Sequence, residues 1–452
     1  MTGIELIRKS FRCEETERIP WVPFSGVHGA FLLNISAEEY LKSEKLIVEG
    51  VKKAVELYQA DGIPVVFDLQ VEAEALGCQI AWKKDNPPAV ISHPLSGSIW
   101  IESLPEYSLK SGRIPIIARA TKQLREELPN TALYGLITGP FTLALHLMGT
   151  EIFLKMMMEP EKVGELMDFT TRIAITTAEM YIQNGCDVIA VVDPMTSQID
   201  PISFNQFVSI PVETIFDYIR ERDCLSSFFV CGQAEHNIEE MCKTGPDNIS
   251  IDENISLEYV KNIALANKVS FGGNLKLTAN LLLGDENDCR IDALDCMDKG
   301  GKTGFVLAPG CDLPMETPVK NLQAIADLVH DPYQQDVARA LSHQSSRFEN
   351  PDLGDHWKDN KIRIDVITLD SSSCAPCQYM LEAMKKAAAG MEKVEVTEFP
   401  IKSLEGLKMM NAFGVKSIPT ACIEGSPVFE SRIPSIEVIR EKIDRAIKEK
   451  GL

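Results

Sequence analysis

Short apolar runs alternate with longer amphipathic stretches from the amino terminus to about residue 330. One stretch begins at Ser36, where Glu39 completes an S-x-x-E capping box, and its apolar residues recur at helical spacing. This pattern predicts a single helix from Ser36 to Gly62. Eight apolar runs are predicted as strands: Ile19–Val22, Ile63–Phe67, Leu133–Ile137, Val188–Val192, Phe228–Val230, Ile249–Ile251, Val269–Phe271 and Phe305–Leu307.

The predicted strands are continuously apolar and do not alternate with polar residues. Such strands are typical of a parallel sheet that is covered by helices on its faces. Eight strand–helix units in succession predict a (β/α)₈ barrel of the TIM type. A doubly wound open sheet is the alternative, but no G-x-G-x-x-G sequence follows the first strand.

Polar residues follow most of the predicted strands. In a barrel these residues lie at the carboxyl-terminal mouth, where barrel enzymes perform their chemistry. They are Asp68, Thr138, Asp193, Cys231, Asp252, Asn274 and Cys311. We expect His28, in a glycine-containing loop after the first strand, to face the mouth and bind substrate together with Asp68.

Two of these strand ends carry a cysteine beside a glycine, Cys231-Gly232 and Gly310-Cys311. Two thiolates and one nitrogen or oxygen ligand would form a zinc site with an open position. Such a site activates a substrate thiol, because zinc lowers the pKa of a bound thiol.

The carboxyl-terminal part of the chain has a different pattern. A polar stretch predicts a linker at residues 346–360, between a barrel domain at 1–345 and a smaller domain at 361–452. The smaller domain has a strand, then Cys374 and Cys377 in a C-x-x-C sequence at the start of a helix, and later Ile-Pro-Thr before another strand. It resembles the thioredoxin/glutaredoxin family. The resemblance implies that Pro419 is a cis-proline lying against a redox-active cysteine pair.

Several motifs of the barrel domain are similar to the uroporphyrinogen decarboxylase superfamily, and more narrowly to its methylcobalamin:coenzyme M methyltransferase branch. They are FDLQVEAEALGC, LITGPFTLALHLMGTEIF, FVCGQAEHNIEEM, SIDENISLEYVK, GGNL and FVLAPGCDLPMETPVKNL. In that branch a His-x-Cys pair and a later Cys in a P-G-C context hold zinc, which implies Cys231 and Cys311 as ligands. Phe229 stands at the position of the histidine, so His236, Glu72 or Glu74 would have to complete the site, or zinc is lost.

The resemblance implies a methyltransferase that works with a corrinoid (methylcobalamin) on a partner protein, since this chain has no D-x-H-x-x-G motif. A small thiol or a methylated compound would be the other substrate, and Asp193, Asp252 and Asn274 would position substrate or ligands.

Three alternatives stay open at this point. The first is a thiol–disulfide oxidoreductase that uses the barrel as a scaffold. In the second, the dithiol keeps the barrel cysteines, or a disulfide form of the substrate, reduced. The third is a porphyrin decarboxylase, which the arginine-free stretch IPWVPFSGVHGAFLLN disfavours.

Composition narrows the choice of partners. The 452 residues carry a formal charge of −21, which repels nucleic acid and anionic lipid, so we expect neither partner. A charged amino terminus and the lack of a long apolar segment predict a cytoplasmic protein. In that compartment the 12 cysteines are not expected to form a disulfide framework. Whether the chain forms a homo-oligomer is left open.

Overall fold

A computed structural model describes residues 1–335, 360–372, 374–415 and 418–451. The chain divides into two compact units, Met1–Ser342 and His343–Leu452. The predicted linker falls outside the described residues except for Asn360, so the domain boundaries stay predictions.

Seven parallel strands form the sheet of the first unit. In sheet order they are β1 (Gly62–Pro64), β4 (Ala132–Thr138), β5 (Val188–Val192), β6 (Leu225–Val230), β7 (Asn248–Ile251), β8 (Ser270–Leu275) and β9 (Phe305–Pro309). A separate antiparallel pair consists of β2 (Ile80–Ala81) and β3 (Ala89–Val90).

Helices connect the strands of this unit. They are α1 (Gly3–Phe11), α2 (His28–Leu33), α3 (Ala37–Leu41), α4 (Glu44–Tyr58), α5 (Val71–Ala75), α6 (Ile114–Glu127), α7 (Pro140–Met148), α8 (Glu151–Met158), α9 (Pro160–Gln183), α10 (Pro201–Phe207), α11 (Ser209–Arg220), α12 (Ile238–Lys243), α13 (Leu257–Ala266), α14 (Glu286–Gly300) and α15 (Val319–His330). Three 3₁₀ turns (Ile101–Ser103, Pro194–Gln198 and Glu235–Asn237) and a π-helical turn (Leu277–Leu282) complete the connections.

The first predicted strand closes the barrel as a short bridge. Trp21 pairs in parallel with Leu307 of β9, and the N–H of Val22 donates to the carbonyl of Leu307 at 3.0 Å. On the other side, the N–H of Asp61 donates to the carbonyl of Trp21 at 2.9 Å, just before β1. The residues from Pro20 to Val22 therefore lie between β9 and β1, which confirms the predicted barrel.

A buried carboxylate fixes this closing segment. Both oxygens of Asp61 accept hydrogen bonds from the two terminal nitrogens of Arg18, each at 2.6 Å, and one of them also accepts from the N–H of Trp21 at 2.9 Å. Asp61 is buried, so the pairing is shielded from water. A two-pronged charge-assisted pairing of this kind holds the arginine in one orientation.

Helix α1 crosses the amino-terminal ends of the strands. The hydroxyl of Ser10 donates to the carbonyl of Phe305 at the start of β9, and the N–H of Ile4 donates to the carbonyl of Asn130 just before β4. Ile7 and Phe11 of this helix pack into the barrel core. The apolar face of α1 thus seals the barrel on the side away from the mouth.

The predicted single helix from Ser36 to Gly62 is wrong, because the structure has two helices there. The capping box of Ser36 and Glu39 is present and starts α3. Ser43 then caps α4 by accepting a hydrogen bond from the N–H of Leu46, and α4 ends at Gln59 in the left-handed conformation. A second serine able to cap a helix interrupts an apolar pattern that is otherwise continuous.

The second unit has a four-stranded sheet in the order β11-β10-β12-β13. Its strands are β10 (Ile362–Thr368), β11 (Val394–Pro400), β12 (Thr420–Ile423) and β13 (Ser426–Glu430), and its helices are α16 (Ala375–Ala388), α17 (Leu404–Ala412) and α18 (Ile436–Lys450). Strands β10 and β11 are parallel, whereas β12 is antiparallel to both of its neighbours. This arrangement confirms the thioredoxin-like fold.

Among the described helices, none is by itself long and apolar enough to cross a bilayer. Helices α7 and α8 reach that length and composition only as a pair that is bent by 105°.

Replacing Asp61 by alanine should destabilise the barrel by about 3 kcal/mol, because it leaves the N–H of Trp21 and the Arg18 guanidinium without their acceptor. The Asp61→Asn variant keeps one acceptor oxygen and should lose about half as much. Urea unfolding followed by tryptophan fluorescence measures both variants. Equal stability of the alanine variant and the unmodified chain would contradict the clamping role of Asp61.

Candidate active site

The two strand-end cysteines meet at the barrel mouth. Cys231 directly follows β6, Cys311 lies two residues beyond β9, and their Sγ atoms are 2.7 Å apart. Both side chains are partly exposed. The hydrogen bond with Cys311, burial, and the negative charges of Asp252 and Asp312 raise the pKa of the Cys231 thiol well above its ordinary value.

Carboxylates surround the cysteine pair. One oxygen of Asp252 accepts from the N–H of Gly232 at 2.8 Å, and one oxygen of Asp312 accepts from the N–H of Gly26 at 2.8 Å. Glu253 follows in the same loop as Asp252, and its Oε2 accepts from the N–H of Leu277. Burial, reinforced by the charge of Asp252, raises the pKa of Glu253 to about 8. The mouth therefore combines soft thiols with acidic groups of different proton affinity.

Glycines allow the loops to pack this tightly. A Cβ on Gly310 would lie 2.5 Å from the backbone nitrogen of Glu253, so the chain before Cys311 has room only for glycine there. Gly232, after Cys231, adopts a φ of +88°, which strains any other residue. The glycine beside each cysteine is thus required by the geometry of the mouth.

An aromatic layer lies beneath the two thiols. Phe229 is fully buried and packs against Phe24 and Phe67, with ring centroids 4.9 Å and 5.8 Å away. Cys231 and Cys311 contact this same core cluster. The position where a third ligand would point into the mouth is therefore part of an apolar floor.

Two predicted site residues support neighbouring loops. Asp193 is fully buried and accepts hydrogen bonds from the N–H groups of Phe141 and Thr142 at the start of α7, and burial raises its pKa to about 6. The amide of Asn274 donates to the carbonyls of Asp252 and Ile255, so it holds the loop after β7. Asp252 itself is the member of this predicted group that borders the cysteines.

Asp68 and Glu72 belong to separate polar contacts with Arg113 and Thr138. Asp68 accepts from Arg113 at 2.5 Å and Glu74 accepts from the same guanidinium at 2.7 Å. Glu72 is buried and accepts from the hydroxyl and the N–H of Thr138, while burial raises its pKa. These carboxylates are engaged with the protein and do not join the cysteine pair.

The two predicted histidines are also engaged elsewhere. His28 is fully buried, with Nδ1 2.8 Å from the carbonyl of Met315 and Nε2 2.7 Å from the hydroxyl of Tyr58. Burial lowers the pKa of His28 to about 4, so the ring is neutral. The Nε2 atom of His236 donates to the carbonyl of Ile199 at 2.9 Å.

A second cysteine pair lies in the other unit. Cys374 is joined to Cys377 by a disulfide at the start of α16, and the N–H of Leu369 donates to the Sγ atom of Cys377 at 3.3 Å. Cys374 is partly exposed, whereas Cys377 is fully buried. The Ile418–Pro419 peptide bond is cis.

Residues 2–332 match the uroporphyrinogen decarboxylase (URO-D) family, and residues 362–444 match the thioredoxin domain family. The chain belongs to the uroporphyrinogen decarboxylase family. The family match ends before the thioredoxin domain begins, so this member of the family carries an additional domain at its carboxyl-terminal side.

Relatives within the uroporphyrinogen decarboxylase family include different enzymes. The methylcobamide:CoM methyltransferase MtbA of Methanosarcina acetivorans is 29% identical over 339 residues, which cover 72% of this chain and 97% of the relative. A uroporphyrinogen decarboxylase of Wolbachia pipientis wMel is 26% identical over 294 residues, covering 63% and 83%. The solved structure of a methyltransferase from Methanosarcina mazei has a TM-score of 0.68 at 24% identity, covering 74% of this chain and 99% of that one, which supports the fold.

The zinc site that the family resemblance implies does not fit the residues present. Within the described ranges, no group of three or more histidine, cysteine or acidic side chains is arranged to hold a metal ion. Zinc in catalytic sites takes three protein ligands. Cys231 and Cys311 supply two, and the third position is occupied by Phe229.

Glu253 and Asp312 lie in the loops of the mouth, and the strand-end pattern did not single them out. Each stands one residue after a predicted site residue, Asp252 and Cys311. The sequence signal for these residues was a second polar residue directly after each predicted one. The turn at a strand end can direct two consecutive side chains toward the mouth.

Replacing Phe229 by histidine should create a three-ligand site at the mouth. We expect the Phe229→His variant to retain about one zinc ion per chain after desalting and the unmodified chain to retain less than about a tenth of that. Phe229→Leu is the matched control, since it disturbs the aromatic floor without adding a ligand. Stoichiometric zinc in the unmodified chain, measured by elemental analysis, would contradict the two-ligand assignment.

The buried His28 should make the barrel sensitive to acid. Its pKa is about 4 when folded, against an ordinary value of 6.5, so the unfolded chain binds the proton more readily as the pH falls from 6.5 to 4. Stability is lost over that interval, by about 3 kcal/mol from this group. His28→Gln, which can keep both hydrogen bonds, should remove that loss. Urea unfolding at several pH values compares the two chains, and parallel pH profiles would contradict the assignment.

Proposed function

We propose that the barrel transfers a methyl group between the cobalt of a corrinoid carried on a partner protein and a small thiol. The similarity to MtbA carries this proposal, because it extends over nearly the whole of that methylcobamide-dependent enzyme. The corrinoid would supply the methyl group. The carbon–cobalt bond would break with its electron pair left on cobalt, and a carbon–sulfur bond would form from a lone pair of the thiolate. The barrel supplies the place where the thiol is held and loses its proton.

The mouth suits a reaction between a thiol and a methyl group. Phe24, Phe67 and Phe229 form an apolar floor that excludes water beneath the reacting atoms. A dry floor strengthens electrostatic effects and favours the uncharged methyl group. The sulfurs of Cys231 and Cys311 line the same surface and offer soft, polarisable contacts to an incoming thiol.

Glu253 is the proposed proton acceptor. Its pKa of about 8 lies close to the ordinary value for a thiol, about 8.5, so a proton moves between the two groups at little cost. The N–H of Leu277 donates to Oε2 and holds the carboxyl group in the loop that follows β7. No step of this proposal passes through a zinc ion, since the third ligand is missing.

A decarboxylase acting on porphyrins is the competing assignment, since one family relative bears that name. Asp252 and Asp312 carry negative charge beside the cysteine pair, and these charges would repel a substrate rich in carboxylates. The acidic mouth therefore favours a small thiol over a porphyrin.

We propose that the carboxyl-terminal domain is a dithiol redox module. Its exposed and buried cysteines, Cys374 and Cys377, resemble the attacking and resolving members of a redox pair. The free N–H groups at the start of α16 favour a thiolate at Cys374.

The test is anaerobic demethylation of free methylcobalamin by the full-length chain with a panel of small thiols, followed by cobalamin absorbance. We expect thiol-dependent turnover, and a fall in kcat/KM of about 100-fold in the Glu253→Gln variant.

Glu258→Gln is the matched control for this assay, because Glu258 is exposed on α13 and should leave turnover unchanged. Absence of turnover with every thiol, together with release of carbon dioxide from uroporphyrinogen, would replace methyl transfer by decarboxylation.

A further inference from the structure

The barrel cysteines are positioned for a bond to each other. Their sulfurs are 2.7 Å apart, whereas a disulfide bond measures about 2.05 Å, so a shift of less than about 1 Å joins them. The two residues come from β6 and β9, which are not neighbours in the sheet. A bond between them would therefore run across the mouth.

These two thiols also differ from the other free cysteines of the chain. All cysteines lie in described residues, and seven of the ten free ones are buried, with Cys13 as the remaining partly exposed one. Access to solvent is a requirement for thiol–disulfide exchange. Cys231 and Cys311 are both partly exposed, and each has the sulfur of the other 2.7 Å away. Within the described residues, neither belongs to a group of three or more side chains that could hold a metal ion.

We propose that Cys231 and Cys311 form a reversible disulfide across the barrel mouth, and that the Cys374–Cys377 dithiol reduces it. The barrel pair is thus a redox site in addition to lining the mouth. Because it lines the mouth where we place methyl transfer, its oxidation would also block that reaction, and this last consequence rests on the proposed function.

The chemistry balances as two exchange reactions. In oxidation, a small organic disulfide takes two electrons from the barrel dithiol, forms first a mixed disulfide and then the Cys231–Cys311 bond, and leaves as two thiols with the two protons. In reduction, the thiolate of Cys374 attacks one barrel sulfur and the other barrel sulfur leaves as a thiolate. Cys377 then attacks the Cys374 sulfur of the mixed disulfide, and the second barrel sulfur leaves as a thiolate. Two electrons and two protons then pass to the barrel pair, and the Cys374–Cys377 disulfide is left for an external thiol to reduce.

The carboxyl-terminal cysteines have the asymmetry that this sequence requires. Cys374 is partly exposed at the helix start, so it can reach a disulfide on another surface. Cys377 is buried behind it, bonded to the N–H of Leu369, and can attack only a bond that Cys374 has already made. For the exchange to occur, the Cys374–Cys377 pair must meet a Cys231–Cys311 pair, either that of the same chain or that of a second copy.

The experiment equilibrates the full-length chain anaerobically in graded mixtures of reduced and oxidised dithiothreitol. Acid quenching, alkylation and peptide mass spectrometry then identify the linked cysteines. We expect a Cys231–Cys311 peptide under oxidising conditions. In samples that are acid-quenched at successive times, the Cys231–Cys311 disulfide should be reduced by limiting dithiothreitol about tenfold more slowly in the Cys374→Ser/Cys377→Ser double variant than in the unmodified chain. The Cys377→Ser variant alone should accumulate a mixed disulfide from Cys374 to Cys231 or Cys311.

Two other results would each contradict one part of the proposal. If Cys231 and Cys311 remain fully alkylated while the Cys374–Cys377 bond forms normally, the barrel disulfide does not exist. Equal reduction rates in the unmodified chain and the double variant would show that the Cys374–Cys377 pair does not reduce the barrel disulfide. Cys13→Ser is the matched control and should change neither result. The readout is chemical, so the outcome is independent of whether methyl transfer is observed.

Discussion

Closure of the barrel by the segment from Pro20 to Val22 is the constraint on which the mouth depends. In sheet order β6 and β9 are separated by β7 and β8, which would place them about 14 Å apart in a flat sheet. Their following cysteines nevertheless meet at 2.7 Å, because the sheet curves until β9 and β1 are joined through Trp21. The buried pairing of Asp61 with Arg18 and with the backbone of Trp21 holds that junction. A clamp at the amino-terminal side thus determines the geometry at the opposite end.

The aromatic floor sets the chemistry that the two thiols can undergo. Phe229 provides no lone pair, and the nearby carboxylates disfavour a negative charge on Cys231. Two thiolates without a cation would repel each other strongly in such surroundings. The neutral and the covalently joined forms of the pair avoid that repulsion, so the loss of one ligand changes which states of the sulfurs are stable.

The C-x-x-C and Ile-Pro-Thr motifs predicted the thioredoxin-like domain through their family resemblance. The pattern of apolar runs was sufficient to predict the barrel and the strand ends that carry Cys231 and Cys311. It succeeded there because buried parallel strands are continuously apolar and because the mouth lies at their carboxyl ends. It did not separate Asp193 or Asn274, which support loops, from Asp252, which borders the cysteines. All three are polar residues at strand ends, and the difference lies in partners far away in sequence, such as the N–H groups of Phe141 and Thr142. His28 was expected at the mouth for the same reason, although Met315 and Tyr58 engage it in the interior.

Helix α1 has a consequence for the order of events in any reaction between two partners. It lies across the amino-terminal ends of the strands, and Ile7 and Phe11 join the core that includes Phe229. In the methyl transfer that we propose, a carrier protein and a small thiol would therefore both reach the sulfurs from the carboxyl-terminal end of the barrel. The thiol would have to enter before the carrier covers the mouth, and its methylated product would leave only after the carrier departs. The way in which the first eleven residues fold would thus impose a compulsory order on that reaction.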